Sequence, residues 1–349
     1  MLFEDSRSDP SFLLFDEPGE IIAAETPQEV AAAFGRMQRA IEAGLYLAGY
    51  AGYELGHALE PKLARETPAR APRCCASARR TRRSAADYAR RFGAARDYIF
   101  AGDMYQINLT FPLHGVYAGD PLALYRALRQ RQPVAFGGIV ALGAETVVSL
   151  SPEIFFETRG RDIRVRPMKG TARRGFLPLE DMARAQYLTE DIKNRAENLM
   201  IVDLLRNDLS RLSEIGSVKV TDLFRIETYP TLHQMTSGVE ARLRANLTIA
   251  QLFAGLFPCG SVTGAPKIRA MEIIRELEAG PRGVYCGSLG VIAPDGAMRF
   301  NVAIRTLTLF DDSTLVCNVG SAVVADSVAD EEYAECLIKA KFLTGASSP

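Results

Sequence analysis

The sequence has no surplus of charge of either sign. Its 349 residues carry 41 Lys and Arg against 42 Asp and Glu, which leaves a formal net charge of −1 at pH 7. Such a chain has no overall attraction to nucleic acid or to an anionic membrane, and we expect neither as a partner. Apolar runs of the ~18 residues that a membrane helix needs are missing, and the acidic N-terminus MLFEDSRSDPSF is unlike a basic signal peptide. These absences predict a protein that is neither inserted in a membrane nor exported.

Cysteine is scarce as well. Six cysteines in a chain of this length do not make a disulfide framework, and none stands in the C-x-x-C arrangement of zinc sites and redox motifs. We therefore expect a reducing, cytoplasmic environment. The composition, with 48% hydrophobic and 24% charged residues, excludes a disordered or fibrous chain and predicts a large apolar core in one or two domains.

The order of helical and extended patterns predicts the fold class. Helical patterns cover residues 27–43, 88–101, 121–131, 179–212, 249–257 and 330–343, and a further helix follows the loop at 259–267 and ends near residue 278. Extended patterns cover residues 12–15, 45–53, 105–111, 163–166, 218–223, 283–292, 299–309 and 314–319. The extended runs follow one another through hairpin-like turns instead of alternating strictly with helices. This order is typical of a mixed α+β protein with antiparallel sheets.

One segment, residues 61–91, interrupts this order. It contains two prolines after its first residue, two adjacent cysteines and a run of arginines. Such a run is either a basic arm for an acidic partner or a solvated linker that leads into a helix. We favour the linker.

The loop GSVTGAPK at residues 260–267 is the first candidate for chemistry. Its glycines permit close approach of the backbone to a ligand, and the helix that follows offers unpaired N–H groups and a partial positive charge. Lys267 in the first helical turn opposes the helix dipole and therefore needs a compensating negative group. The spacing is not that of a Walker loop. Taken alone, a glycine-rich helix entry is more often structural than functional.

Carboxylates on two predicted helices form the second candidate. Glu197 is spaced along an apolar helix face, so that it should point inward, and a buried carboxylate needs a cationic partner such as arginine or Mg²⁺. Glu332 and Glu335 lie one turn apart on the closing helix. The alternative is an acidic helix face that pairs with Lys339 or Lys341.

Lys169, in the sequence PMKGT, is the third candidate. A lysine held in a tight, glycine-containing turn at the end of a strand can anchor an anion or, if desolvated, act as a nucleophile. A surface lysine beside Arg173 and Arg174 is the alternative. The residues alone do not decide between them.

Together these segments resemble the chorismate-utilising enzymes. The matching strings are GDMYQINLT (102–110), SPEIFFE (151–157), PMKGTARRG (167–175), AENLMIVDLLRNDLSR (196–211), GSVTGAPKIRAMEII (260–274), RGVYCGSLG (282–290), AIRT (303–306) and GSAVVADSVADEEYAE (320–335). The resemblance implies a single large α+β domain with two packed antiparallel sheets flanked by helices. The chorismate-binding core would cover residues 88–345, with an N-terminal part, 1–87, packed on it.

The resemblance also implies a Mg²⁺-dependent reaction on chorismate, a ring dicarboxylate. By position in the family motifs, Glu197 and Glu335 are the expected metal ligands, with Glu332 beside them. The substrate is expected to contact Tyr285, Arg305 and the backbone of Gly320, Ser321 and Ala322, with Thr263 and Lys267 nearby.

Lys169 and Gln106 separate the branches of the family, and Glu153 and His233 match family residues with a role in the reaction. Lysine at the position of Lys169 is the pattern of aminodeoxychorismate synthases, in which it attacks ring carbon 2 while the hydroxyl leaves carbon 4, whereas anthranilate synthases have alanine. Glu153 matches the general acid for that hydroxyl, and His233 the family histidine near the departing group. Gln106 replaces the water-activating lysine of the isochorismate and salicylate synthases, so the resemblance favours amination at carbon 4.

The nitrogen source is not visible in this chain. The sequence has no Gly-x-Cys-x-Gly nucleophile turn, and its three histidines have no cysteine-histidine-acid pattern beside them. The resemblance therefore implies a separate glutamine amidotransferase subunit as partner. Two alternatives stay open, an anthranilate synthase component I and a chorismate-binding scaffold without turnover.

Overall fold

The computed structural model describes residues 1–5, 11–16, 18–64, 85–229 and 232–344. In chain order their strands are β1 Leu2–Asp5, β2 Ser11–Leu14, β3 Leu47–Ala51, β4 Gln106–Val116, β5 Phe136–Leu142, β6 Glu145–Ser151, β7 Ile154–Arg159, β8 Asp162–Val165, β9 Met168–Arg173, β10 Lys219–Thr228, β11 Leu232–Arg242, β12 Gly264–Ala265, β13 Ser288–Ile292, β14 Met298–Asn301, β15 Thr306–Phe310 and β16 Thr314–Val323.

The helices over the same residues are α1 Val30–Glu42, α2 Leu55–Leu59, α3 Pro61–Ala64, α4 Ala85–Phe100, α5 Pro121–Arg131, α6 Pro178–Glu190, α7 Ile192–Ser210, α8 Ile249–Leu256, α9 Lys267–Leu277, α10 Ala329–Lys339 and α11 Lys341–Thr344. Short 3-10 turns occupy Pro27–Glu29 and Gly260–Val262. None of the helices in the described ranges combines the length and the apolarity that a bilayer crossing requires.

The strands form two antiparallel sheets. The first has the order β12-β4-β16-β15-β6-β5-β1-β2, and the second the order β10-β11-β8-β7-β14-β13-β3, with β9 also paired to β11. The longest ladder joins β4 to β16, from Ile107 opposite Val323 to Val116 opposite Thr314. The predicted α+β class with two antiparallel sheets and flanking helices is confirmed.

Buried side chains from both sheets and the helices form one large apolar cluster. At its centre are five phenylalanine rings whose neighbouring centroids lie 5.0 to 5.9 Å apart: Phe155, Phe156, Phe253, Phe257 and Phe300. Aromatic rings at these separations and angles stabilise a core beyond the area that they bury. The cluster fixes β7, β14 and α8 against one another, and the strands and loops of the candidate site are attached to these elements.

Strands from residues 1–64 belong to both sheets. β1 pairs with β5, and β3 pairs with β13. Of the predicted linker 61–91, residues 61–64 form α3 and residues 85–91 lie in α4. The arginine run before α4 lies outside the described residues.

Three predicted elements differ from the structure. The extended run expected over 299–309 is two strands, β14 and β15, which belong to different sheets. The glycine-containing turn expected at 167–175 is a strand, β9, because its backbone pairs with β11 from Leu232 opposite Arg173 to Thr236 opposite Met168. The single helix expected over 179–212 is two helices. Asp191 separates them, since its extended backbone ends α6 while its carboxylate accepts a hydrogen bond from the Asn194 N–H and caps α7.

Candidate functional site

Charged side chains from three other parts of the chain surround Lys169 on β9. Lys169 is partly buried. Burial lowers the pKa of its amine, as does the ammonium of Lys339 on α10, whereas Glu197 on α7, Glu153 before β7 and Glu335 on α10 raise this pKa. The structure therefore brings together Lys169, Glu153, Glu197 and Glu335, all of which the sequence analysis singled out.

The backbone of β9 is held in place around this lysine. Gly170 has φ +88°, and a Cβ there would lie 3.0 Å from the side-chain oxygen of Asn194. Glycine at this position therefore lets β9 approach α7 closely. The Gly170 carbonyl accepts a hydrogen bond of 2.7 Å from Gln234, and the Lys169 carbonyl accepts one of 3.5 Å from Asn198. Contacts from β11 and α7 thus fix the base of the Lys169 side chain.

Glu153 is a buried carboxyl group directly before β7. Its side chain accepts a hydrogen bond of 2.8 Å from the Ser261 hydroxyl. Burial raises the pKa of Glu153 to about 7, although the Ser261 hydrogen bond, the charge of Lys169 and the Met168 N–H all act to lower it. A carboxyl group that holds its proton near neutral pH is suited to act as a general acid.

The charge of Glu335 on α10 affects the pKa of Glu197 on α7. Burial raises the pKa of Glu197, Lys169 and Lys193 lower it, and the charges of Glu335 and Asp326 raise it further. A carboxylate whose pKa is raised by burial and by another acidic group is stabilised in its charged form by a nearby cation.

Part of the required positive charge comes from Lys339, which the sequence analysis named as a possible partner of the acidic face of this helix. Its ammonium donates to Glu335 at 2.6 Å and to the Gly320 carbonyl at 3.0 Å. The predicted pair thus forms, one turn apart and on the exposed face of α10.

We tested whether these carboxylates fit Mg²⁺. Among the described residues, no group of three or more His, Cys, Asp or Glu side chains is arranged to hold a metal ion. Glu332 is engaged by the Ser327 hydroxyl, which donates to it at 2.8 Å. Magnesium, however, is commonly bound through one or two carboxylates together with substrate oxygens and water. Glu197 and Glu335 therefore fit the ion, provided that Lys339 releases Glu335 and a ligand supplies the remaining oxygens.

Arg305 is a partly buried cation directly before β15. Its side chain has no hydrogen bond or ion pair to any described residue. Burial lowers the pKa of its guanidinium, and Tyr229 raises it. Tyr285, also predicted to contact substrate, is buried, and burial raises the pKa of its hydroxyl. A partly buried guanidinium without an anion among the described residues is a suitable hydrogen-bond donor to a ligand carboxylate.

The Gly320, Ser321 and Ala322 segment lies on β16, opposite Thr110, Leu109 and Asn108 of β4. A Cβ at Gly320 would lie 2.7 Å from the Thr110 side chain and 2.9 Å from the Leu109 carbonyl, which explains the glycine. The Ser321 hydroxyl shares a hydrogen bond of 2.9 Å with the Tyr88 hydroxyl.

Gln106, at the start of β4, is fully buried, and neither its amide nitrogen nor its amide oxygen has a hydrogen-bond partner in the described part of the chain. Buried amides are rarely left in this state. The side chain is therefore ready to bind a ligand group that both donates and accepts a hydrogen bond.

The glycine-rich loop does not hold its lysine toward a ligand. Lys267 donates to Asp208 of α7 at 2.6 Å and to the Leu256 carbonyl at 3.2 Å. The negative group that its position requires is therefore supplied by the protein. The Thr263 hydroxyl, completely buried, donates to the carbonyls of Cys259 and Gly260. The loop contributes Ser261 to the candidate site, where its hydroxyl donates to Glu153, the carboxyl near Lys169.

His233 is bound within the protein at both ring nitrogens. Because a carboxylate only accepts, Nε2 donates to Asp181 at 2.9 Å, while Nδ1 shares a 2.9 Å hydrogen bond with Thr228. Asp181 also accepts two hydrogen bonds from Arg174. These contacts hold the imidazole between α6 and the β10–β11 hairpin.

The sequence matches the chorismate binding enzyme family over residues 75–345. The chain therefore belongs to this family, which confirms the resemblance drawn from its motifs. Aminodeoxychorismate synthase component 1 of Klebsiella aerogenes is 43% identical over 276 residues, which are 79% of this chain and 61% of that protein. Anthranilate synthase component 1 of Neisseria meningitidis serogroup B is 42% identical over 252 residues, 72% of this chain and 51% of that protein.

Solved structures agree with this assignment. The crystal structure of anthranilate synthase component I from Streptococcus pneumoniae matches with a TM-score of 0.69 and 35% identity, over 75% of this chain and 58% of that one. The chain spans only about half to three fifths of the length of these relatives.

Proposed function

We propose that this protein is an aminodeoxychorismate synthase component I, which aminates chorismate to 4-amino-4-deoxychorismate for p-aminobenzoate and folate synthesis. The observation that carries the proposal is the amine of Lys169, which lies within electrostatic reach of Glu153 and Glu197 and has its pKa lowered by burial. A lysine of this kind is more often uncharged near neutral pH than a surface lysine, and only the uncharged amine is a nucleophile.

In the proposed reaction the Lys169 amine forms a bond to ring carbon 2. Both ring double bonds shift by one position, and the bond from carbon 4 to its hydroxyl breaks. Glu153 gives its proton to the departing oxygen, which leaves as water, because hydroxide itself is a poor leaving group. Ammonia then bonds to carbon 4, both double bonds shift back, and the bond from carbon 2 to the Lys169 nitrogen breaks, which restores the uncharged amine. The proton that the added ammonia loses returns to the Glu153 carboxylate.

The substrate carboxylates would be divided between two places. Glu197 and Glu335 would hold Mg²⁺, which when bound neutralises one carboxylate of the ring substrate. Arg305, Tyr285 and the Gly320 to Ala322 backbone would hold the other carboxylate. Gln106 would bind a polar ring substituent through its unpartnered amide. An amide in this place cannot deprotonate water, so addition of water to the ring is not favoured.

The ammonia would come from a separate glutamine amidotransferase subunit. Relatives are named as component 1 of their synthases. The test supplies ammonia directly: purified protein is incubated with chorismate, Mg²⁺ and ammonium, and the product is identified. We expect 4-amino-4-deoxychorismate. Anthranilate with pyruvate would refute the proposal in favour of anthranilate synthase, and tight chorismate binding without product would favour a scaffold.

A further inference from the structure

The 3-10 turn before α9 places the Ser261 hydroxyl on the Glu153 carboxyl. The hydrogen bond from Ser261 to Glu153 Oε1 is 2.8 Å long, and it is the one side-chain hydrogen bond that Glu153 accepts within the described residues. Ser261 is 5% exposed and Glu153 4% exposed. A hydrogen bond to a buried ionisable group is strong, since water does not compete for either partner.

The turn that carries Ser261 is rigid. The Thr263 hydroxyl donates to the carbonyls of Cys259 and Gly260, and the buried guanidinium of Arg282 donates to the Val262 carbonyl at 2.9 Å. The Ser261 oxygen also lies 3.3 Å from the Cys259 sulfur. The hydroxyl therefore approaches Glu153 from a fixed place.

Few other charged groups face Glu153. The ammonium of Lys169 reaches it from β9. The thiols of Cys259 and Cys286 also sense its charge, but burial raises the pKa of each to about 12, so both are neutral near pH 7. Ser261 and the Met168 N–H are thus the neutral donors that oppose the effect of burial on this carboxyl, and Ser261 has the larger effect.

We propose that Ser261 is the positioning residue of Glu153, and that its hydroxyl fixes the orientation of the carboxyl. This inference rests on the proposed role of Glu153 as the general acid. Because the hydroxyl donates to the carboxyl, it stabilises the ionised form. Its removal should therefore make Glu153 keep its proton to higher pH.

The test is a titration of the Glu153 carboxyl by difference infrared spectroscopy, with the band assigned by its absence in Glu153→Gln. In Ser261→Ala we expect the midpoint to rise by about one pH unit, as loss of one hydrogen bond to a charged group implies. Ser261→Thr, which keeps the hydroxyl, should restore the midpoint. The ammonium-dependent kcat should fall about tenfold in Ser261→Ala and recover in Ser261→Thr, because a misplaced acid transfers its proton slowly.

The matched control is Ser288→Ala, which removes another buried serine hydroxyl, one that donates to the Asn301 carbonyl. Its Glu153 midpoint should equal that of the unmodified protein. An unchanged midpoint in Ser261→Ala, or an equal shift in Ser288→Ala, would overturn the inference. The titration needs no turnover. It therefore tests the role of Ser261 even if the product assay yields anthranilate, a result that would refute the proposed function alone.

Discussion

Lys169 and Lys267 give the same signal in the sequence and have opposite surroundings in the fold. Both stand near glycines, and both suggest an anchor for an anion. Lys267 is ion-paired with Asp208 at 2.6 Å and donates to a main-chain carbonyl, so its charge is fully compensated by the protein. Lys169 has no hydrogen bond or ion pair from its amine within the described residues, and burial lowers its pKa.

This difference separates a structural lysine from a candidate catalytic one. A buried cation with a close carboxylate is held in its charged form and ties two elements together, here α7 and the start of α9. A buried amine that has only longer-range charges around it can lose its proton and react. The arrangement of acidic residues in three dimensions, and not the local motif, decides between the two.

The largest effect that would test this comparison is on the reaction itself. Lys169→Ala removes the amine that we propose as nucleophile, and the rate of amination with ammonium should fall at least about a thousandfold. Product formation from chorismate, Mg²⁺ and ammonium measures it. Lys169→Arg is the matched control, since it keeps a positive charge without a usable nucleophile and should be equally inactive. Activity of Lys169→Arg above a tenth of normal would show that the charge alone suffices.

The next effect concerns stability. Lys267→Met leaves the buried carboxylate of Asp208 without its cation, and the free energy of unfolding should fall by about 3 kcal/mol. Denaturant unfolding measures this loss. In the double variant Lys267→Met with Asp208→Leu most of the stability should return, because no charge is then left unpaired. The comparison fails if Lys267→Met is as stable as the unmodified protein.

The smallest predicted effect is a change in the pH dependence of stability. It comes from Glu153, which lies near Lys169 and not near Lys267. Its pKa rises from 4.5 to about 7 in the folded protein, so the native state binds this proton more tightly than the unfolded chain does. The resulting contribution to stability is present below pH 4.5 and is lost as the pH rises to 7. Unfolding free energies of Glu153→Gln and of the unmodified protein should therefore diverge by about 2 kcal/mol between pH 5 and pH 8, in favour of the variant. A difference that does not change with pH would contradict the raised pKa.

The sequence predicted most helices and strands, because their hydrophobic periods and caps are local. It was wrong at β9, whose strand conformation depends on pairing with β11, more than sixty residues away. It was wrong again at Asp191, where a side-chain cap divides one long apolar pattern into two helices. The inward face of α7 is also shifted, since Asn198, Ile201 and Leu205 are buried while Glu197 is only partly so.

The sequence predicted which residues belong to the candidate site better than it predicted the contacts between them. Motif positions identified Lys169, Glu153, Glu197 and Glu335, which the fold brings together. Ser261 escaped notice, since a serine in a glycine-rich turn carries no signal for a carboxyl more than a hundred residues earlier. Such a contact follows only from the packing of distant segments.

Gln106 lowers the stability of the folded protein relative to an apolar residue at the same position. An amide that is buried with both ends unbonded costs roughly one to three kcal/mol, and an apolar side chain of similar size would avoid this cost. The chain therefore keeps in its core an amide that a bound polar molecule would satisfy. Tight folding and readiness to bind work against each other at this residue.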